Sequence, residues 1–307
     1  MRVAAIDCGT NSIRLLIADI ENGTLTDVTR QMIVVRLGEG VDKTGEFSQA
    51  ALDRTFAATD EYAKLISEHK PEKVRFVATS ASRDVSNREV FVAGIKSRLG
   101  IEPSVISGDE EARLSFLGAT ADLVNNPDAP ATPYLVVDIG GGSTEFVLGT
   151  NAPEQALSTN VGCVRMTERH LIGDPPTAQQ IAGATKDIDE AIDQAAKVVQ
   201  LSDARSLIGL AGSVTTVAAL ALNLSEYKSE VIHGSRISAD QVHKVATDLL
   251  AMPRAQRAEL GPMHPGRIDV IGGGALVLDR IMQKTGITEV VVSERDILDG
   301  IARDLAK

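Results

Sequence analysis

Aromatic residues are scarce in this chain of 307 residues: they make up 3% of it, and tryptophan is absent. This scarcity argues against base stacking or an aromatic sugar platform as the main means of binding. Cysteine is scarcer still, because Cys8 and Cys163 are the two in the chain and no CxxC pattern occurs. The cysteines therefore predict neither a disulfide framework nor a zinc site, and they favour a cytoplasmic protein.

Net positive charge is also lacking. The formal net charge of −11 at pH 7 disfavours non-specific binding to nucleic acid or to an anionic membrane surface. It leaves open a small anionic substrate, because a local arginine cluster or a metal ion overrides the global field. No signal peptide is visible, since Asp7 interrupts the first apolar run. The uncharged run at 206–225 is long enough to span a bilayer, but its Gly, Ser and Thr favour a strand, a turn and a buried helix.

What the chain does contain is a repeat within an alternation of strands and helices. The segment AIDCGTNSIRLL (5–16) aligns without a gap with VVDIGGGSTEFV (136–147), at an offset of 131 residues. A segment rich in Asn, Pro and Ala (125–133) separates the two halves. We therefore predict two related α/β domains. The first comprises residues 1–124 together with a closing segment at 296–307, and the second comprises residues 125–295.

Each repeat places a turn of small and polar residues between two apolar strands. In the GGGST turn, the absence of Cβ atoms lets backbone N–H groups approach an anion closely, and two hydroxyls add further donors. Two such turns facing each other across an interdomain cleft would form a two-sided phosphate clamp, although each could equally be a structural hairpin turn. The candidate phosphate ligands are Gly141, Gly142, Ser143 and Thr144 in one turn, and Thr10, Asn11 and Ser12 in the other.

Charged residues flank both turns. Asp7 and Asp138 stand near strand ends, where a carboxylate can hold Mg²⁺ directly or through water. Two residues beyond the shared serine the repeats differ, with Arg14 in the first half and Glu145 in the second. Arg14 is suited to holding a phosphate with two hydrogen bonds, and Glu145 to binding a metal or orienting water. An outward-facing charge on a strand is the alternative for each.

The segment SGDEEAR contains a third kind of candidate. Ser107 is placed to cap a helix with Glu110 at the capping-box position, and Asp109 and Arg113 are spaced for a helical ion pair. Glu111 has no such structural explanation and lies at the edge of the apolar stripe. Partial burial there would raise its pKa toward that of a general base.

Three further places could complete an anion site, although a structural role alone is the alternative for each. Arg83 follows a strand end in VATSASRD. Gly212 and Ser213 lie where a strand enters a helix, which is a favourable place for a phosphate. Arg267 opens a predicted helix in HPGRIDV and is a third candidate arginine.

Taken in order, these segments resemble the exopolyphosphatase/guanosine pentaphosphate phosphohydrolase family over essentially the whole chain. The resemblance rests on AIDCGTNSIRLLI, VATSASRD, ISGDEEARLSFLGA, VVDIGGGSTEFVLG, VGCVR, GLAGSVTT, VIHG and PGRIDVIGGGALVL. SGDEEAR and DIGGGSTE are its most specific parts. The chain is similar to the short, two-domain form of the family.

The resemblance implies an actin-like ATPase fold, which sugar kinases and heat-shock chaperones share, with two duplicated α/β domains and a cleft between them. It implies that Glu111 activates the attacking water and that Glu145 helps to place that water or Mg²⁺. It also implies that the two turns, Arg14 and Arg83 hold phosphate, with Arg267 as a further phosphate contact. Other divalent cations and a monovalent cation stay open, and a homodimer is the expected assembly.

The leading hypothesis is a Mg²⁺-dependent exopolyphosphatase in the cytoplasm, with inorganic polyphosphate as its substrate and a preference for short chains. Hydrolysis of guanosine pentaphosphate is the close alternative, because it needs the same clamp and base; few aromatic residues are available to stack guanine. A kinase and a non-catalytic sensor of phosphate-rich nucleotides are two further classes. A kinase needs a pocket for an acceptor hydroxyl, and a sensor would bind without turnover.

Overall fold

A computed structural model describes residues 1–83, 85–123 and 126–307. It divides into two compact units, one formed by Met1–Gly118 with Ile297–Lys307 and the other by Ala119–Asp296. The predicted domain boundary, between residues 124 and 125, lies outside the described residues. The C-terminal segment belongs to the first unit.

The strands, in chain order, are β1 (Arg2–Cys8), β2 (Ser12–Glu21), β3 (Thr24–Val34), β4 (Lys73–Ala78), β5 (Ser104–Val105), β6 (Tyr134–Ile139), β7 (Thr144–Gly149), β8 (Pro153–Thr159), β9 (Ser206–Leu210), β10 (Arg236–Ser238) and β11 (Glu289–Val292). The helices of the first unit are α1 (Val41–Thr44), α2 (Gln49–His69), α3 (Ser80–Arg83), α4 (Arg88–Leu99) and α5 (Gly108–Thr120), whose last residues enter the second unit.

The helices of the second unit are α6 (Cys163–Arg169), α7 (Ala178–Ala195), α8 (Ala211–Ala221), α9 (Ser229–Ile232), α10 (Ala239–Ala251), α11 (Arg254–Ala258) and α12 (Ile271–Thr285). Short 3-10 turns lie at Leu201–Asp203 and Pro265–Arg267. The last helix, α13 (Ile297–Leu305), returns to the first unit.

The two units contain sheets of the same topology. The first sheet has the order β3-β2-β1-β4-β5, and the second has β8-β7-β6-β9-β11, with β10 added at its edge. In each, three antiparallel strands form a meander, and the first of them pairs in parallel with a strand that returns after a helix. This duplicated order is that of the actin-like ATPase fold, so the predicted fold and the internal repeat are confirmed.

Helices cover both faces of the first sheet, with α2 and α4 on one face and α5 and α13 on the other, and they bury its central strands. Every residue of β6 and β7 is buried, as are the last six residues of β1. In the first unit, Tyr62, Phe76 and Phe91 fill the space between the sheet and its helices, and α13 packs Ile297 and Ile301 onto the other face. Rigid sheets of this kind give fixed positions to the turns at their strand ends.

The uncharged run at 206–225 forms a strand and a helix, as predicted. Residues 206–210 make β9, and α8 follows at once with a buried face. Ala211 joins them at a φ of 67°, in the left-handed region that non-glycine residues rarely adopt. Across the described residues, every helix is too short or too polar to cross a membrane.

Candidate active site

The GGGST turn joins β6 to β7 and is held from one side. The turn closes by a hydrogen bond from the Gly140 amide to the Ser143 carbonyl, at 3.0 Å. Backbone amides in the first turn of α6 donate hydrogen bonds to carbonyls of the GGGST turn. The Cys163 amide donates to the Gly140 carbonyl at 3.0 Å, and the Val164 amide donates to the Gly141 carbonyl at 2.9 Å. Gly162 allows this approach, because a Cβ there would lie 2.5 Å from the Gly141 oxygen.

The amide side of the same turn is left available. Within the described part of the chain, the backbone N–H groups of Gly141, Gly142 and Ser143 donate no hydrogen bond. Three successive donors in a glycine turn make the kind of concave nest that binds anions. The Thr144 hydroxyl, by contrast, is buried and donates to the Val161 carbonyl at 2.8 Å, a contact that helps to fix the turn.

The equivalent turn of the first unit is anchored in the same way. The Gly9 amide donates to the Ser12 carbonyl at 3.0 Å, and the carbonyls of Thr10 and Asn11 accept from the backbone of residues 35–38, the segment that follows β3. The Thr10 hydroxyl also lies 3.0 Å from the Ser80 hydroxyl at the start of α3. In both repeats, therefore, the chain after the third strand fixes carbonyls of the turn.

The strands that flank the two turns carry different pairs of charged residues. Asp7 and Arg14 lie opposite each other on β1 and β2, and the Arg14 guanidinium contacts the buried Asp7 carboxylate at 2.6 Å. Asp138 and Glu145 occupy the same two positions on β6 and β7. Directly opposite residues of an antiparallel pair share one face of the sheet. The first repeat therefore contains an ion pair, and the second contains two neighbouring carboxylates.

The two carboxylates are buried, with Asp138 7% exposed and Glu145 1% exposed. The Ser158 hydroxyl on β8 donates to one oxygen of Glu145 at 2.7 Å. The described residues include no group of three or more His, Cys, Asp or Glu side chains placed to hold a metal ion. Mg²⁺, however, is commonly bound by one or two carboxylates, with water and phosphate oxygens completing its shell. The pair Asp138–Glu145 fits that requirement, whereas Asp7 is engaged by Arg14.

Glu111 and Arg83 form the second charged feature of the first unit. Glu111 lies in the first turn of α5 and is 7% exposed. An Nη1 nitrogen of Arg83, at the end of α3, approaches a Glu111 carboxylate oxygen to 2.5 Å. The guanidinium balances the charge of a carboxylate that the fold has removed from bulk water. Its position is compatible with a base, and its pKa remains a prediction.

The neighbours of Glu111 have structural roles, as the sequence indicated, but two of the contacts predicted for them do not form among the described residues. The Ser107 hydroxyl accepts a hydrogen bond from the Glu110 amide at 3.2 Å, so it caps the helix. The Glu110 side chain binds Arg75 at 2.5 Å and does not complete a capping box. Arg113 pairs with Asp304 of α13 at 3.2 Å, and the predicted pair with Asp109 does not form.

Gly212, Ser213 and Arg267 lie together at the start of α8. The Arg267 guanidinium covers Gly212 so closely that a Cβ there would lie 2.1 Å from it. Another nitrogen of the same guanidinium donates to the Thr216 hydroxyl at 3.1 Å. The prediction that Arg267 opens a helix was wrong. Arg267 is the last residue of a 3-10 turn that precedes α12. A helix N-terminus with an arginine beside it suits an anion.

The charge of Arg267 affects the pKa values of two neighbouring groups, His264 and Cys163. Burial lowers the pKa of His264, and Arg267 lowers it further. Burial raises the pKa of the Cys163 thiol, against the opposing effects of a hydrogen bond to Ser213 and of Arg267. Burial is the larger cause of both shifts, and the charge of Arg267 makes a smaller contribution to each.

Two side chains at these sites were missed by the sequence analysis. Thr216 lies one helical turn after Gly212, a spacing that could have revealed it. Ser158 faces Glu145 across β7 and β8, but their pairing depends on a register that the sequence does not specify. Each forms a hydrogen bond with a residue that the sequence had identified, Thr216 with Arg267 and Ser158 with Glu145.

Comparison with known proteins agrees with this architecture. The model of the Ppx/GppA phosphatase family matches residues 16–307. Exopolyphosphatase 2 of Mycobacterium tuberculosis is 49% identical over 318 aligned residues, which cover 99% of this chain and 98% of that protein.

Solved structures give the same result. The crystal structure of an exopolyphosphatase-like protein superposes with a TM-score of 0.95 at 48% identity, covering 99% of this chain and 97% of the other. The PPX-GPPA enzyme of Aquifex aeolicus superposes with a TM-score of 0.82 at 30% identity, covering 99% of both chains.

Proposed function

The chain belongs to the Ppx/GppA phosphatase family, and we propose that it is an exopolyphosphatase, which releases orthophosphate from the ends of inorganic polyphosphate. It is an enzyme that hydrolyses phosphoanhydride bonds. The observation that carries the proposal is the turn of the second unit: its three amides that donate no hydrogen bond within the described residues lie between the two strands that carry Asp138 and Glu145. An anion nest beside a dicarboxylate is suited to a phosphate chain and its counterion.

The second unit supplies the phosphate nest and the metal ligands. The amides of Gly141, Gly142 and Ser143 bind phosphate oxygens, and Asp138 and Glu145 would hold Mg²⁺. When bound, Mg²⁺ neutralises negative charge on the phosphate oxygens. Ser158 fixes one oxygen of Glu145 and so directs the other lone pairs of that carboxylate.

The first unit supplies the base. Glu111 takes a proton from the attacking water, and Arg83 beside it binds phosphate oxygens together with Thr10, Asn11, Ser12 and Arg14. Phosphoryl transfer asks the protein mainly to align water with the breaking bond and to offset spread negative charge. The Arg83–Glu111 contact at 2.5 Å supports this pairing of roles, because it brings a base and a phosphate ligand together.

Gly212, Ser213 and Arg267 form a further phosphate contact in the second unit. Their support is the close fit of the guanidinium over the start of α8. A polyanion extends over several phosphates, so more than one cationic site is useful to a polyphosphate enzyme. We propose that short chains are preferred.

The test is orthophosphate release with Mg²⁺ from inorganic triphosphate, from a ladder of defined polyphosphate lengths and from guanosine pentaphosphate. The proposal expects release from polyphosphate, with a kcat/KM that falls as the chain lengthens, and loss of turnover when EDTA removes the metal. Release from guanosine pentaphosphate alone would transfer the assignment to that nucleotide. Binding of both compounds without turnover would identify a sensor.

We further propose that the protein acts as a homodimer in the cytoplasm. Both cysteines are buried thiols without a disulfide, which supports a reducing compartment. Light scattering on the purified protein measures the assembly, and a mass of a single chain at micromolar concentration would contradict the dimer.

A further inference from the structure

The side chain of Arg165 reaches the GGGST turn. It lies on α6 and is half-buried. Its Nε–H donates to the Gly142 carbonyl at 2.8 Å, and its backbone amide donates to the Gly141 carbonyl at 3.1 Å. Together with Cys163 and Val164, it thus anchors three successive carbonyls of the turn.

The planar geometry of the peptide group means that each anchored carbonyl also fixes the direction of the amide that follows it. In a planar trans peptide, the carbonyl of one residue and the N–H of the next point in opposite directions. Holding the carbonyls of Gly140, Gly141 and Gly142 on the α6 side therefore directs the amides of Gly141, Gly142 and Ser143 to the other side. Those are the three amides that donate no hydrogen bond within the described residues.

The third of these peptide groups differs from the other two in how it is held. Backbone amides of α6 anchor the first two carbonyls, and the Arg165 side chain anchors the carbonyl of Gly142. Glycine has no Cβ to oppose rotation of the adjoining peptide groups. Without Arg165, the Gly142–Ser143 peptide would lose this hydrogen bond and the Ser143 amide its fixed direction.

We propose that Arg165 is a positioning residue, which aims the Ser143 amide at the substrate phosphate through its hydrogen bond to the Gly142 carbonyl. This inference rests on the proposed function only in naming the turn as the phosphate site. The alternative is that the positive charge of Arg165 attracts the substrate.

Two substitutions separate these roles. The Nε2 of glutamine stands the same number of bonds from Cα as the Nε of arginine, so Arg165→Gln keeps a donor at that position and removes the charge. Arg165→Met places a methyl group there and removes both. Arg169→Met is the matched control, because Arg169 lies on the same helix, is exposed and pairs with Asp187 at 3.1 Å.

The measurement is the affinity for inorganic triphosphate by calorimetry, with each variant made in a Glu111→Gln background so that turnover does not interfere. Positioning predicts that Arg165→Met weakens binding about tenfold or more, that Arg165→Gln stays within about threefold, and that Arg169→Met has no effect. Thermal unfolding of the variants checks that the helix is intact. Hydrolysis by the Arg165 variants with Glu111 restored should follow the same order.

Equal losses in the glutamine and methionine variants would overturn the proposal in favour of a charge contact. Unchanged binding in Arg165→Met would show that the turn needs no side-chain anchor. A parent protein that binds triphosphate without releasing orthophosphate would refute the proposed function and leave the comparison valid. A parent that does not bind triphosphate would overturn both.

Discussion

The Arg83–Glu111 contact predicts a strong coupling between two residues that we assign to the reaction. Arg83→Met leaves the Glu111 carboxylate, 7% exposed, without the cation that lies 2.5 Å from it. Removing one partner of a fully buried ion pair costs about 3–5 kcal/mol. The Arg83 side chain is 20% exposed, so water already screens part of the interaction. We therefore expect a loss of about 2 kcal/mol in the free energy of unfolding.

The double variant Arg83→Met/Glu111→Gln should recover at least half of that loss, because a neutral amide does not need a cation. A coupling of about 1 kcal/mol or more is therefore expected from a double-mutant cycle followed by urea unfolding. Arg75 and Glu110 provide the control, with the same separation of 2.5 Å but a Glu110 side chain that is 36% exposed. The coupling between Arg75 and Glu110 should stay below about 1 kcal/mol. Additive effects of the Arg83 and Glu111 substitutions would refute the reasoning.

Three further outcomes are expected. Gly162→Ala should impair both folding and orthophosphate release, since its Cβ would meet the Gly141 oxygen at 2.5 Å; a fully active variant would show that the turn is loosely held. Ser158→Ala removes the donor to Glu145 and should raise the Mg²⁺ concentration for half-maximal activity, with Ser158→Thr closer to the parent enzyme. Both thiols, buried and with raised pKa values, should react slowly with a disulfide reagent at pH 8 until the protein is unfolded. Fast reaction of either thiol in the native protein would contradict that burial.

The fold was readable from the sequence because the repeat preserves local features. Asp7 and Asp138 keep their distance from the turn in both halves, and strand order follows once each half begins with the same hairpin. The residues that pair with them follow from the register of that hairpin, in which Arg14 lies seven positions after Asp7 and directly opposite it.

Contacts between distant segments were not readable. Glu111 lies 28 positions after Arg83, and Asp304 lies 191 positions after Arg113. Helical spacing favoured Asp109 for Arg113 because it counts local neighbours alone. The anchoring of the turn by α6 was equally hidden, although VGCVR was recognised as a motif, because its geometry arises from how the segment after β8 returns to the tip.

The most direct test of the account is orthophosphate release from inorganic triphosphate with Mg²⁺ by the parent enzyme, Glu111→Gln and Glu110→Gln. The two variants lose the same charge at adjacent positions of α5, but only Glu111 is assigned as the base. We predict that Glu111→Gln lowers kcat by about a hundredfold or more, while triphosphate still binds, and that Glu110→Gln stays near the parent value. A Glu111→Gln enzyme with a kcat close to that of the parent would contradict the central claim.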